Sequence, residues 1–369
     1  MVLPGHWPRS AIALFSTACS SDEPDLGSNP LPTSASSSSG SGNAGPGGGG
    51  TGGAGGDGGG AGGAGGAAAG GSGGAGGSGG AGGSTGGAGG AGGSGGQGGG
   101  GGASGLRVRV MAANTTTGNQ QSYDPGEGIR IFQGVDADVA LVQEMSYGDN
   151  SPGELQDMVD EAFGAGFSYY RESTVNVQNA LPNAVVSRYP LLDAGTWDDP
   201  EIANRSFVWA RIDIPGATDL WAVSVHLGTD NSSLRNDEAV ALVALVQQHV
   251  PATDHLVIGG DLNTDARGET CVGTLGARVV TTSPWPVDQN GNDNTSTNRS
   301  KPYDWVVASP AFDALEVPVV IGGSSFANGL VLDSRVYTPL GEIAPVMFGD
   351  SGATNMQHMA VVRDFVIPE

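Results

Sequence analysis

The chain has 369 residues, of which 67 are glycine, and a formal net charge of -23. Most glycines lie between about 40 and 105, so the remainder is one domain of ordinary to large size with room for a substantial core. The strong acidity speaks against non-specific adhesion to nucleic acid, which depends on cationic side chains meeting phosphates, but leaves phosphoester chemistry open because a bound divalent cation can invert the local field. Two cysteines, Cys19 and Cys271, are too few for a disulfide framework.

Residues 1–22 read as an export signal. His6 and Arg9 make a modestly positive start, Ala11 to Phe15 a short apolar centre, and Ser16-Thr17-Ala18-Cys19 a small-residue cleavage region. The stretch resembles a bacterial lipoprotein signal, which implies lipidation of Cys19, membrane attachment through it, and a location in the cell envelope or outside the cell. Residues 23–104 are Ser, Pro and then Gly-Gly-Ala and Gly-Gly-Ser triplets, with almost nothing to bury. A Gly/Ser coil of about 75 residues spans roughly 45–50 Å on average, so this segment is a tether.

The domain from 105 to 369 opens with Leu106 to Ala113, where Leu106, Val108, Val110 and Ala112 alternate with Arg107 and Arg109. The pattern predicts a strand with one polar side that delivers Asn114 to its end. Gly126 to Val135 predicts a short helix. Ala137 to Glu144 predicts a buried strand closed by an acid. Ser151-Pro152-Gly153-Glu154 then starts a helix, with a Ser cap, Pro at the first position and Glu three residues after the cap. Its apolar face is Leu155, Met158, Val159, Ala162 and Phe163.

Strands are expected at about 167–173, 183–188, 206–214 and 219–227. A second helix, about 233–249, presents Ala239, Val240, Leu242, Val243 and Val246 toward a sheet. Strand 255–259 leads to Gly259-Gly260-Asp261-Leu262-Asn263, where an acid and an amide share one side of a strand end. The polar, Asn-rich stretch 281–301 reads as an exposed loop. Strand 303–308 carries Asp304, residues 322–350 form a long connection, and Met359 to Val366 close the domain.

Around the Gly-Gly-Asp261-x-Asn263 stretch, six further short motifs follow one another in order: Asn114, Gln143-Glu144, Ser187-Arg188-Tyr189-Pro190, Ser224-Val225-His226-Leu227, Pro302-Tyr303-Asp304-Trp305-Val306, and Gln357-His358. In this order they resemble the endonuclease/exonuclease/phosphatase superfamily, over about residues 105–369. The resemblance implies a deoxyribonuclease I-like four-layer α/β sandwich, two packed mixed sheets with outer helices, and a site where strand ends converge.

The resemblance also implies roles. Glu144 and Asn114 are the expected ligands of Mg²⁺ or Mn²⁺, a hard cation that takes oxygen donors. Asp261 and Asn263 are expected to orient the nucleophile and hold the phosphoryl group, and His226 to bind a phosphoryl oxygen or assist the leaving group. Asp304 and His358 form the expected acid–imidazole pair, base or electrostatic stabiliser. Glu201 is a candidate to orient His226. Gln357 stands where the family has Asp, and Asp350, or water held by Gln357, is expected to fill that gap. The function implied is a monomeric, exported, divalent-metal-dependent phosphoester hydrolase acting on nucleic acid, phospholipid headgroups or small phosphodiesters. A non-catalytic binding module with this fold is the alternative.

Overall fold

The computed structural model of the protein describes residues 105–117 and 126–368. The expected export signal and tether lie outside the described residues. Two sheets are stacked. The first has seven strands: β1 (Gly105–Asn114), β2 (Val139–Gln143), β3 (Ser168–Arg171), β4 (Ala184–Ser187), β10 (Glu316–Val317), β13 (Leu330–Leu332) and β14 (Ala360–Pro368). Its order is β10-β14-β1-β2-β4-β3, with β13 also on β14. The second has five strands, β5 (Leu191–Trp197), β6 (Phe207–Ile212), β7 (Leu220–His226), β8 (His255–Asp261) and β9 (Asp304–Ala308), side by side in chain order. A small ribbon pairs β11 (Val319–Ile321) with β12 (Ser324–Phe326).

Helices α1 (Glu127–Val135) and α2 (Pro152–Phe163) cover the outer face of the first sheet, and α3 (Ser232–His249) and α4 (Thr270–Leu275) that of the second. A short α5 (Pro310–Asp313) follows β9. The four layers enclose three cores, and strand alternation sorts residues between them. Val110, Leu141, Ala210, Val257, Val306 and Val361 fill the space between the sheets. Met111, Ala140 and Val142 point out toward Phe132, Leu155 and Met158. Val223, Ile258 and Val307 point the other way, toward Leu242, Val246 and Leu275.

Several local expectations change once the layers are assembled. Arg109 is buried rather than on a wet face: its guanidinium is bidentate to Asp364 of β14 at 2.8 and 2.9 Å and donates to the Val135 and Val320 carbonyls. A helix-covered sheet leaves no polar side there, and a buried guanidinium is tolerable only with such pairing. Val240 is exposed, because α3 turns that position away from the sheet, and the cap of α3 is Asn231, whose Oδ1 accepts the Ser233 and Leu234 N–H groups. For α2, by contrast, Ser151 accepts the Glu154 N–H as the capping pattern requires.

Strand β5 was not expected from sequence, since its half-exposed residues carry little apolar alternation. Neither were the short α4 and β10 to β13, which lack the length for a periodic signal. Segment 281–301 is not a simple exposed loop either: Asp288, Thr295 and Ser296 are buried in it.

Candidate active site

Strand pairing places the polar cluster before any side chain is considered. Parallel β7 and β8 align His226 with Asp261, and antiparallel β8 and β9 align Asp261 with Asp304. The three residues form one row across the second sheet. On the first sheet, parallel β1 and β2 align Asn114 with Gln143, the residue before Glu144. His226, Asp261, Asp304 and Asn114 each fall in alternation with inward-facing residues of their strands (Ala222, Val257, Val306 and Ala112). The site is therefore the last rung of the core between the sheets, where apolar side chains give way to polar ones.

The approach of the sheets beneath this rung depends on two glycines. A Cβ on Gly259 would lie 2.6 Å from Leu141 Cδ1 and 2.8 Å from the Trp305 carbonyl oxygen. Gly260 has φ +134, and a Cβ there would collide with the Val225 carbonyl and lie 2.6 Å from Gln143 Nε2. That backbone region is essentially glycine's own. With no side chain in the way, the Gln143 amide reaches across to donate to Ser224 Oγ at 2.9 Å.

The Asn114 amide spans the gap, donating to Glu144 Oε1 at 3.2 Å and to Asp261 Oδ2 at 3.0 Å, while its carbonyl oxygen accepts the Thr116 N–H. His226 Nε2 lies 3.4 Å from the same Asp261 oxygen and 4.0 Å from Glu144 Oε1. His358 Nε2 lies 3.5 Å from Asp261 Oδ2, and its Nδ1 is 3.1 Å from Asp304 Oδ2. Asn263, with φ +50, donates its N–H to Asp261 Oδ1 at 2.8 Å and its amide Nδ2 to the Leu227 carbonyl at 2.8 Å. All seven predicted site residues are thus in one connected cluster, and all but half-buried Asn263 are buried.

Glu144 sits in a strained backbone. Its φ of +57 costs a residue with a Cβ roughly 1–3 kcal/mol. Hydroxyls of Thr115 and Thr117 both donate to its carbonyl at 2.6 Å, the Pro182 carbonyl accepts the next N–H, and Arg171 donates to the Met145 carbonyl. Arg205, also missed from sequence, donates to the carbonyls of His226 and Leu227 at 2.7 and 3.1 Å. Behind it, Glu238 on α3 accepts the Gly228 N–H with both carboxylate oxygens. None of these carries a sequence signal, because each acts on backbone carbonyls or amides brought close only by folding.

The electrostatics separate the two imidazoles. Burial, reinforced by the positive charges of Arg205 and His358, holds His226 well below its ordinary value, so it is neutral at pH 7. Burial also opposes charge on His358, but the Asp304 and Asp261 carboxylates overcome it and lift the imidazole to about 9. Burial, with Asp304 close by, raises the Asp261 carboxyl to about 7.

Other expectations do not reach the site. Ser187-Arg188-Tyr189-Pro190 lies at the opposite end of the sheet, where Arg188 pairs with Asp136 and Asp138 just before β2. Glu201 is exposed, and Arg205 is the group that holds the His226 strand end instead. Asp350 does not fill the place of the missing acid: both its oxygens are taken by the Arg130 guanidinium, at 2.9 and 2.7 Å, and one also accepts the Met347 N–H. Gln357 is exposed and tied by its backbone, accepting from the Thr297 N–H and donating to Thr116 Oγ1.

The donor set fits a hard divalent cation. Glu144, Asp261 and Asp304 bring three carboxylates together, more negative charge than His358 alone offsets, and Asp304 Oδ1 is buried with no partner among the described residues. Ligand atoms of Asp261, Asp304 and His358 lie within 4.8 Å of one another.

A two-sheet α/β sandwich with carboxylates, an amide and two imidazoles at its converging strand ends defines the class. The model of the Endonuclease/Exonuclease/phosphatase family matches residues 121–326, more than half of the chain, and the chain belongs to that family. Asn114 and His358 lie outside the matched stretch and join the site only through the fold. No curated protein matches the chain.

Among solved structures, an endonuclease/exonuclease/phosphatase from Beutenbergia cavernae DSM 12333 is similar at 18% identity over 71% of this chain and 72% of that one, with a TM-score of 0.48. One from Bacteroides vulgatus is similar at 13% identity over 71% and 99%, with a TM-score of 0.49. A D. rerio TDP2 humanized by 14 mutations is similar at 15% identity over 70% and 98%, with a TM-score of 0.45. Likenesses this distant say nothing about substrate.

Proposed function

We propose that the protein is a divalent-metal-dependent phosphoester hydrolase of the phosphodiesterase or nuclease type. The observation that carries this reading is Asp261: one carboxylate oxygen meets the Asn114 amide and lies within 3.5 Å of both imidazoles. Family membership supplies the phosphoester class.

Glu144, with Asp261 beside it, is the group that would hold Mg²⁺ or Mn²⁺; the expected role of Asn114 changes, because its amide nitrogen faces both carboxylates and orients them while its oxygen is turned to the Thr116 N–H. Such an ion, when bound, neutralises phosphoryl oxygens and lowers the barrier to attack. Asp261 takes a proton from the attacking water, and the Asn263 N–H keeps its carboxylate oriented. His358 is held by Asp304, whose carboxylate favours the imidazolium, and serves as base or as electrostatic stabiliser of the phosphoryl group. Neutral His226 offers a hydrogen bond from Nε2–H to a phosphoryl or leaving-group oxygen. The signal-like start and Gly-rich stretch support an exported domain tethered through lipidated Cys19.

The test uses the full chain, freed of metal, with bis-p-nitrophenyl phosphate, plasmid DNA and sphingomyelin in Mg²⁺, Mn²⁺ or chelator. Metal-dependent turnover that falls at least about a hundredfold in both Glu144→Gln and His358→Ala is expected. A folded protein silent on every substrate and giving no heat of metal binding would overturn the proposal. Radiolabelled palmitate, incorporated by the wild type and not by Cys19→Ser, tests the tether.

A further inference from the structure

A cavity of about 260 Å³ opens at the free edge of β9, beneath segment 280–286, and one of its walls is Asp304. Arg267, Trp285, Trp305, Arg363 and Thr282 also line it. Arg267 is its unusual member. Its guanidinium lies over the Trp305 ring at 4.1 Å and over the Trp285 ring at 5.3 Å. Its Nε and Nη2 donate to the side chain and carbonyl of Asp293. Nη1 alone has no partner among the described residues.

The charges around this cavity are already balanced or slightly negative. Arg267 pairs with Asp293, Arg363 with both Asp313 and Glu316, and Asp304 with His358. A second full anion would meet no surplus positive charge there. An uncharged, flat group with oxygen acceptors is different, because the Arg267 guanidinium on the cavity wall is a donor and the apolar walls (Val306, Val361 and the indoles) cover the rest.

Elsewhere in the described domain most cations are ion-paired, while Arg171, Arg205 and Arg278 bond backbone carbonyls instead. Lys301 pairs with Asp265 at 2.5 Å, Arg235 with Glu269 and Arg188 with two aspartates. Little is left to track a polyanion backbone.

The geometry points to a substituent pocket: Arg267, Trp285 and Trp305 hold an uncharged, acceptor-bearing group of a small phosphoester, of nucleobase or sugar size, beside Asp304. This inference rests on the phosphoester reading for its choice of substrate class. Arg267 becomes a specificity residue, and a long nucleic acid becomes a poorer substrate than a small diester.

Two esters that share a leaving group test it: thymidine 5′-(p-nitrophenyl phosphate), whose base carries two carbonyls, and methyl p-nitrophenyl phosphate, which has nothing to place in the cavity. The wild-type chain is expected to favour the thymidine ester at least tenfold in kcat/KM, about 1.4 kcal/mol, mostly through KM. Thr282→Trp, which fills the cavity from its exposed rim and leaves Arg267 in place, and Arg267→Met should each bring that ratio near one. A ratio unchanged in Thr282→Trp overturns the pocket.

Calorimetry with thymidine in chelator separates the two readings. Saturable heat in the wild type that is lost in Thr282→Trp, without hydrolysis of either ester, keeps the pocket and sinks the hydrolase. Hydrolysis of both esters with no thymidine heat does the reverse.

Discussion

Replacing Thr295 by Val changes one hydroxyl into a methyl and should loosen both members of the His358–Asp304 pair. Thr295 is fully buried in the segment that had read as an exposed loop. Its Oγ1 accepts the Asp304 N–H at 2.7 Å, its carbonyl accepts the Met359 N–H at 2.7 Å, and the neighbouring Ser296 bridges to His358. Valine keeps the backbone bonds and the shape but leaves a buried Asp304 N–H without an acceptor, at about 1–3 kcal/mol. For a domain of this size about 2 kcal/mol lowers Tm by roughly 4–8 °C.

If the hydroxyl sets where Asp304 sits, kcat should fall about ten- to a hundredfold with KM unchanged, since small displacements of a reacting group are costly. Thr295→Ser, which retains the acceptor, should restore most of both. The assays are thermal unfolding in chelator and metal-dependent turnover of bis-p-nitrophenyl phosphate. A Val variant within about 1 °C and twofold of wild type would refute the reasoning, because the Asp304 N–H would then have another partner or not matter.

The metal-free protein should owe part of its stability to His358. Its imidazole rises from 6.5 to about 9 on folding, so that contribution is whole below pH 6.5 and is lost as pH climbs through 9. In chelator, His358→Gln should therefore narrow its deficit against wild type over that window, and a constant gap between the two Tm curves would count against the pairing. Glu238 goes from 4.5 to about 8, chiefly through burial, so its ionisation destabilises the fold as pH rises from 4.5 through 8. Glu238→Gln, still able to accept the Gly228 N–H, should gain on wild type by about 2–4 kcal/mol across that range, and parallel Tm–pH curves would contradict this.

Gly260→Ala should lose about 3 kcal/mol or more in urea unfolding, because φ +134 and the Val225 carbonyl both exclude a Cβ, whereas Gly268→Ala, with open space around it, should change little. Asp350→Asn should leave metal affinity intact by calorimetry and cost about 2–4 kcal/mol by uncoupling Arg130; weakened metal binding would return Asp350 to the site.

Alternation and capping along the chain determined most of the elements on their own. Val108, Val110 and Ala112 declare β1 and Leu155 to Ala162 the buried face of α2, whereas β7, β8 and β9 are apolar on both faces, so only the structure shows that His226, Asp261 and Asp304 turn inward. The motif order was enough to point to the family. Local sequence could not say which strands lie side by side, because pairing joins residues far apart in the chain.

Register alone put His226, Asp261 and Asp304 in one row, and sheet stacking alone brought Asn114 within 3.0 Å of Asp261. The same distance in sequence hid the support of the site. Arg205, Thr115 and Thr295 hold backbone groups that become their neighbours only in the folded chain. Asp350, near His358 in sequence, was drawn instead to Arg130 of α1, where a buried carboxylate finds a bidentate partner. The sequence thus decided which groups the site contains, and tertiary packing decided which of them meet.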